Sequence, residues 1–212
     1  GAQEVTPMAM ANAYATFAAH GMYCRPIAID SITDYDGNSL PVPPADCTQV
    51  MQAKAADQTA TTLTSVLSSN GTGKYAILNG GRPAAGKTGT TERMDNAWFV
   101  GFTPSLSAAV WMGHSEGYST MAPQYIGGRY YPTMYGSDAP APLWKMYMDA
   151  ALANTPAVGF SSASTGPQTS TPGNGGSTNA SDNNGGSGGA TEANASVEAP
   201  TAPSTQEPSV SQ

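Results

Sequence analysis

Apolar and polar positions follow two different rhythms along this chain. In "TPMAMANAYATFAAHG" the apolar residues Met10, Tyr14, Phe17 and Ala18 recur at helical spacing and share one face. Thr6 supplies an N-cap hydroxyl, Pro7 suits a first helical turn, and Gly21 is placed to end the helix. A second helical stretch, "AADQTATTLTSVLSSNG", puts Leu63, Val66 and Leu67 on its inner face and stops at Asn70-Gly71. Between them, "RPIAIDSITDYDGNSL" alternates apolar and polar residues and turns at Asp36-Gly37, the pattern of a hairpin. Three strand-like runs follow: "AAGKTGTT", "NAWFVGFT" and "LSAAVWMGH". The turns between them are short, which suits antiparallel neighbours. After a looser Gly/Tyr/Pro segment, "APAPLWKMYMDAALAN" reads as a last helix with Pro142 near its start. No internal repeat is visible. The expected fold class is α+β, an antiparallel sheet flanked by helices.

Composition divides the chain. No Lys or Arg follows Lys145 and no aromatic residue follows Phe160. Residues 161–212 are mostly Ser, Thr, Gly, Asn, Ala and Pro, with a few acids, three Gln and two Val. Such a segment buries too little apolar area to offset its ordering entropy, so it reads as a disordered tail after a domain of residues 1–160. The net charge is -7, and Asp182, Glu192, Glu198 and Glu207 of the 15 acids fall in that tail. The remainder is mildly acidic, which argues against a nucleic-acid partner. No apolar run is long enough to span a membrane. The chain starts at Gly1 without an initiator Met and reads as a piece of a longer one. His20 and His114 are too few for a metal cluster and read as ordinary surface or satisfied histidines.

Cys24 and Cys47 are the only cysteines. Two free buried thiols and one disulfide are both compatible with the pattern. A bridge would staple the Pro-rich excursion between them and contribute roughly 3 kcal/mol on a chain-entropy model.

The chemistry concentrates around Lys87. Gly81 to Thr88 fits the G-x-x-x-x-G-K-T pattern of a phosphate-binding P-loop. That loop needs a buried strand before it and a helix opening at its lysine. Here "YAILNGG" is short and ends in a turn, and Thr-Gly-Thr-Thr after Lys87 is poor helix material. The P-loop reading is set aside. Read as K-T-G, Lys87-Thr88-Gly89 lies on a strand, where Thr88 and Thr90 point to one side together. Two hydroxyls there can hold a carboxylate. Gly89 lets a peptide lie close against the strand, and Lys87 adds a positive charge. Taken alone, the tripeptide fits an ordinary edge strand with a surface lysine better.

The surrounding residues decide between these. "EVTPMAMANAYATFAAHGMYCRP", "GRPAAGKTGTTERMDNAWFVGFTPSLSAAVWMGH" and "APAPLWKMYMDAAL", in this order, resemble the C-terminal half of the transpeptidase domain of class A, bifunctional penicillin-binding proteins. These belong to the serine β-lactamase/D,D-peptidase superfamily. The resemblance covers residues 1–153, and K-T-G-T-T followed by D-x-A-W-F-x-G-[FY]-T-P is its most specific part. It implies a partial β-lactamase/transpeptidase-like fold. It also implies an acyl-enzyme mechanism, in which a serine of S-x-x-K attacks the D-Ala–D-Ala bond of a peptidoglycan stem peptide and D-Ala leaves. An amine of a neighbouring stem then takes the acyl group, and β-lactams trap the same serine.

In that scheme Lys87 organises the proton network, Thr88 and Thr90 bind the terminal carboxylate, and Gly89 lets substrate approach. The backbone N–H of Thr90 forms half of the oxyanion hole, and loss of one such donor typically costs roughly 3 to 4 kcal/mol. The implied partners are stem peptides, β-lactams and the upstream part of the same chain. The implied location is the extracytoplasmic face of a bacterial membrane or its cell wall. No cofactor and no metal is implied. "HGMYCRP…C" is also similar to family versions with a paired cysteine in this region, which implies a Cys24–Cys47 disulfide.

One departure is large: S-x-x-K is absent from these residues. Ser68-Ser69-Asn70 and Ser181-Asp182-Asn183 imitate the family's S-x-N motif but stand in the wrong places. The nucleophile, its lysine and the middle serine are therefore expected before Gly1, with any glycosyltransferase domain and membrane anchor. The alternatives are a serine β-lactamase, a β-lactam sensor domain, and a non-enzymatic cell-wall spacer or interaction module. Three N-x-S/T sequons, at Asn70, Asn179 and Asn194, read as chance matches in a bacterial protein.

Overall fold

The computed structural model describes residues 3–161. The tail reading, Ser181-Asp182-Asn183 and the sequons at Asn179 and Asn194 lie outside the described residues, Ser161 of the tail excepted.

The first helix, α1 (Pro7–Ala18), starts as its sequence dictates: the Thr6 hydroxyl accepts the Ala9 N–H at 3.1 Å. Its end differs by one residue from the expectation. His20 takes the left-handed conformation (φ 55°), and Gly21 N–H reaches back to the Thr16 carbonyl at 2.8 Å. The motif is a Schellman cap with His20 at its left-handed position. Gly21 serves a further purpose, because a Cβ there would stand 2.4 Å from the Met51 carbonyl oxygen.

Strands β1 (Met22–Tyr23) and β4 (Thr48–Gln49) pair antiparallel and bracket an excursion. The Cys24–Cys47 disulfide sits one rung beyond that pair. Inside the excursion, β2 (Ile32–Thr33) and β3 (Ser39–Leu40) make the expected hairpin, with Gly37 at φ 84°. Asp34 accepts both the backbone and side-chain N–H groups of Asn38, at 2.7 and 3.0 Å, which fixes the turn.

Helix α2 (Ala53–Thr64) is shorter than its sequence pattern suggests. A 3₁₀ turn (Ser65–Leu67) takes over, and the small residues Ala56 and Ala60 are the buried ones of the helix. Val66 and Leu67 belong to a different cluster, under the last helix. After the turn, Gly71 abuts the Val66 carbonyl so closely that a Cβ would stand 2.1 Å from its oxygen, so this position needs glycine.

The central sheet is β5 (Ala85–Thr90), β6 (Asn96–Phe102) and β7 (Ser107–Gly113), in the order β5-β6-β7, all antiparallel. Helix α1 covers one face. There the Ser107 hydroxyl donates to the Ala11 carbonyl at 2.8 Å, and Tyr14 and Phe17 pack on Phe102. Helix α3 (Pro140–Ala151) covers the other face with Trp144. The Trp144 ring meets Phe99 at 5.1 Å, and its indole N–H donates to the carbonyls of Gly101 and Ala108 at 3.2 and 3.1 Å. β6 is thus buried on both sides, which is why "FVGF" is a continuous apolar run. A small hairpin, β8 (Gln124–Ile126) and β9 (Arg129–Tyr131), turns on Gly127-Gly128, both with positive φ. No described helix is long and apolar enough to cross a membrane.

Candidate active site

The K-T-G residues lie where the sequence places them, on the outermost strand of the sheet. β5 pairs with β6 on one side and with no described strand on the other. The register fixes which way each side chain points. Thr88 stands opposite Phe99 and Thr90 opposite Ala97, on the face covered by α3; Lys87 stands opposite Val100, on the other face.

The backbone follows the same alternation. Thr91 N–H donates to the Asn96 carbonyl at 3.1 Å. Antiparallel rungs exchange hydrogen bonds at every second residue, so Gly89 and Lys87 are bonded to β6. Thr88 and Thr90 therefore turn their N–H and C=O groups toward the unpaired edge. The Lys87 ammonium folds over that edge and donates to the Thr88 carbonyl at 2.8 Å. An extended peptide added to this edge meets a Thr90 N–H that has no partner in β6.

Both hydroxyls are held. The Thr90 hydroxyl accepts the Gly136 N–H at 3.0 Å, which leaves its own proton free to donate. Gly136 sits so close over the strands that a Cβ there would stand 2.1 Å from the Trp98 carbonyl oxygen and 2.9 Å from that of Gly89. The loop leading into α3 thus needs glycine at this point. The Thr88 hydroxyl is 3.1 Å from that of Thr72. In a hydroxyl pair either oxygen can donate, so Thr72 can supply the proton and free that of Thr88 for a ligand.

The turn after the motif is pinned by Asp95, which is buried. The Thr91 hydroxyl donates to one carboxylate oxygen, and Asn96 Nδ2 donates to the same oxygen at 3.2 Å. Arg93 donates to the other at 3.1 Å. The Thr91 hydrogen bond, ahead of the Asn96 bond and the Arg93 charge, holds the Asp95 carboxyl below the usual range against the opposing effect of burial. Asn96 in turn accepts the Trp111 indole N–H at 2.8 Å, which ties the turn to β7.

Sequence reading brought Lys87, Thr88, Gly89 and Thr90 to this edge. It missed Thr72 and Gly136, and it quoted Asp95 without a task. A threonine between glycines in "NGTGK" was a usable signal for a close approach; nothing in "MYGSDAP" marked Gly136. The imitation motif Ser68-Ser69-Asn70 lies in the turn that leads to Thr72. Cys24 and Cys47 are bonded to each other. His20 pairs with Asp57 at 2.6 Å, and His114 is exposed. No cluster of metal-ligating side chains occurs among the described residues.

Comparison with known proteins gives the class. Residues 1–123 match the family model described as "Penicillin binding protein transpeptidase domain", and the chain belongs to that family. The chain is 36% identical over 157 residues to "Penicillin-binding protein 1A" of Mycolicibacterium smegmatis, which covers 71% of this chain and 19% of that protein. The protein of the same name from Mycobacterium tuberculosis is 35% identical over 163 residues, covering 73% and 19% respectively. The solved structure of the penicillin-binding protein PonA1 from M. tuberculosis superposes with a TM-score of 0.62 at 33% identity, covering 73% of this chain and 41% of that one. Penicillin-binding protein 1A of Haemophilus influenzae shares the fold, with a TM-score of 0.60 at 23% identity over 77% of this chain and 29% of that one. The resemblance to class A penicillin-binding proteins is thus borne out. The chain spans about a fifth of the length of these two mycobacterial relatives.

Proposed function

We infer that this chain supplies the K-T-G strand of a peptidoglycan D,D-transpeptidase, at the extracytoplasmic face of a bacterial membrane. The observation that carries this reading is the unpaired edge of β5, which presents the Thr90 N–H outward while Thr88 and Thr90 share one face. A stem peptide laid along that edge places its terminal carboxylate against the two hydroxyls. The scissile carbonyl oxygen then takes the Thr90 N–H as one oxyanion donor. A serine from outside these residues attacks the carbonyl carbon, the D-Ala nitrogen takes a proton, and D-Ala departs. Lys87 must first leave the Thr88 carbonyl, and its ammonium is then placed to stabilise the nucleophile's proton network. An acceptor amine attacks the ester and regenerates the serine. A β-lactam stops after the first step, because its leaving amine stays attached.

The test is covalent labelling of the full-length protein by a fluorescent penicillin, with circular dichroism as folding control. Lys87→Ala is expected to slow acylation on the order of 10²-fold or more, as loss of an acid–base group does. Thr90→Ala is expected to slow it less, because its backbone N–H survives. Wild-type acylation by a folded Lys87→Ala variant would return the strand to an ordinary sheet edge. The isolated chain, which has no S-x-x-K, is expected to remain unlabelled, and labelling of it would overturn the placement of the nucleophile elsewhere.

A further inference from the structure

The carboxylate ledge has a feature that hydroxyls alone do not explain. Thr88 and Thr90 are neutral, and the Lys87 side chain leaves β5 on the opposite face and bonds the Thr88 carbonyl. A carboxylate on the threonine face meets hydrogen-bond donors there but no cation from K-T-G. Anions are held in proteins most firmly by charge-assisted bonds.

A recess of about 490 Å³ opens beside this ledge, lined by Ser69, Asn70, Thr72, Lys74, Tyr75 and the Gly71 backbone, and by Ser137 across from them. Two of its walls are tied to the ledge itself. Thr72 bonds Thr88, and Ser137 follows Gly136, whose N–H bonds Thr90. No acidic side chain lines the recess. The nearest in sequence, Asp138, is turned away to the Thr133 hydroxyl at 3.2 Å and the Tyr135 N–H at 2.8 Å.

Lys74 is the basic side chain of the recess, and no acid among the described residues pairs with it. Its ammonium lies over the Tyr75 ring at 5.1 Å. Most other bases are committed: Arg25 to Asp46, Arg93 to Asp95, Lys145 to Asp149, and Arg82 to the carbonyls of Leu152, Thr155 and Pro156.

We propose that Lys74 is the cation that recruits the substrate carboxylate, and that the recess is the outer half of the carboxylate site. This rests on the transpeptidase reading and adds a specificity-determining residue to it. A lysine at an open recess acts through a screened field. It raises capture of anionic ligands rather than the rate of the bond-making step, and its effect weakens as salt rises.

The experiment measures second-order acylation constants of the full-length protein with a penicillin carrying its free carboxylate and with the methyl ester of the same penicillin. Lys74→Met is expected to lower the constant for the acid about 10-fold at low ionic strength, within the range of electrostatic steering. The ester constant stays unchanged, the salt dependence of the acid flattens, and Lys74→Arg restores both. If acid and ester fall together, Lys74 is structural and the proposal is overturned. It is equally overturned if the acid constant stays within about twofold of wild type. If wild-type protein is not labelled at all, the transpeptidase reading fails, and this inference with it.

Discussion

The sheet β5–β7 and the excursion between Cys24 and Cys47 both read as strands in the sequence and reach opposite outcomes. The sheet carries continuous apolar runs such as "FVGF", whereas the excursion alternates apolar and polar residues. In the sheet, Ala97, Phe99, Val100 and Phe102 are all but inaccessible because helices cover both faces. In the excursion, Ile27, Ile29 and Leu40 are exposed, and its paired strands are two residues long. Alternation states that a strand could bury one face; it does not supply the surface that does the burying. The sheet is held by packing. The excursion is held by a covalent bond between its ends and by an exposed Arg25–Asp46 pair, and exposed ion pairs contribute little.

The comparison breaks most readily at Trp144. Its side chain is fully buried, fills the gap between α3 and β6, and satisfies two carbonyls. Trp144→Ala is expected to cost about 3–5 kcal/mol. That is a large part of the stability of a domain this size, so denaturant unfolding followed by circular dichroism should show loss of the whole domain. Loss confined to the excursion would mean that the sheet does not depend on α3.

A smaller and local effect is expected at the other region. With the bonded cysteines 23 positions apart in sequence, the crosslink contributes roughly 3 kcal/mol on the chain-entropy model. Cys24→Ser combined with Cys47→Ser should place that loss in the excursion. Amide exchange should rise between residues 25 and 46 and stay unchanged in β5–β7, with penicillin acylation of the full-length protein within about twofold of wild type. Raised exchange in β5 would show that the excursion supports the site.

Legibility followed the same division. The three sheet strands match their sequence runs to within about a residue, because β6 needs apolar residues on both faces and its neighbours need short turns. The K-T-G residues were legible because the flanking sequence resembles the family's motif and strand alternation puts Thr88 and Thr90 together. The outward direction of the Thr90 N–H was not, since it depends on which rungs of β6 are bonded. Thr72 and Gly136 reach the site from 16 and 46 residues away, through a hydroxyl pair and a backbone approach that leave no periodic trace. The β8–β9 hairpin was passed over although its Gly-Gly loop is a recognised hairpin signal. Helix α2 ends early, at Thr64, and Val66 and Leu67 pack under α3 instead of continuing the face that carries Leu63.

The smallest effect expected tests how the packed region ends at the site. Asp95 closes the turn after K-T-G, and its carboxyl is held below the usual range chiefly by the Thr91 hydroxyl. A group whose folded pKa is depressed binds protons more weakly when folded. It therefore contributes stability that is fully present above the unfolded value, about 3.9, and is lost as pH falls through the folded value. Asp95→Asn keeps the shape but removes the charge and one pair of acceptor sites. Its melting temperature should lie below that of the wild type at pH 7, and the gap should close as pH is lowered past 4. Arg93→Met should produce a smaller gap with the same pH trend, because its contact adds less to the shift than the Thr91 bond and its side chain is largely exposed. A gap that persists unchanged into strong acid would assign Asp95 a role through packing and neutral hydrogen bonds alone. In that case the turn beneath Thr90 would be held as the sheet is, by fit, with charge contributing nothing.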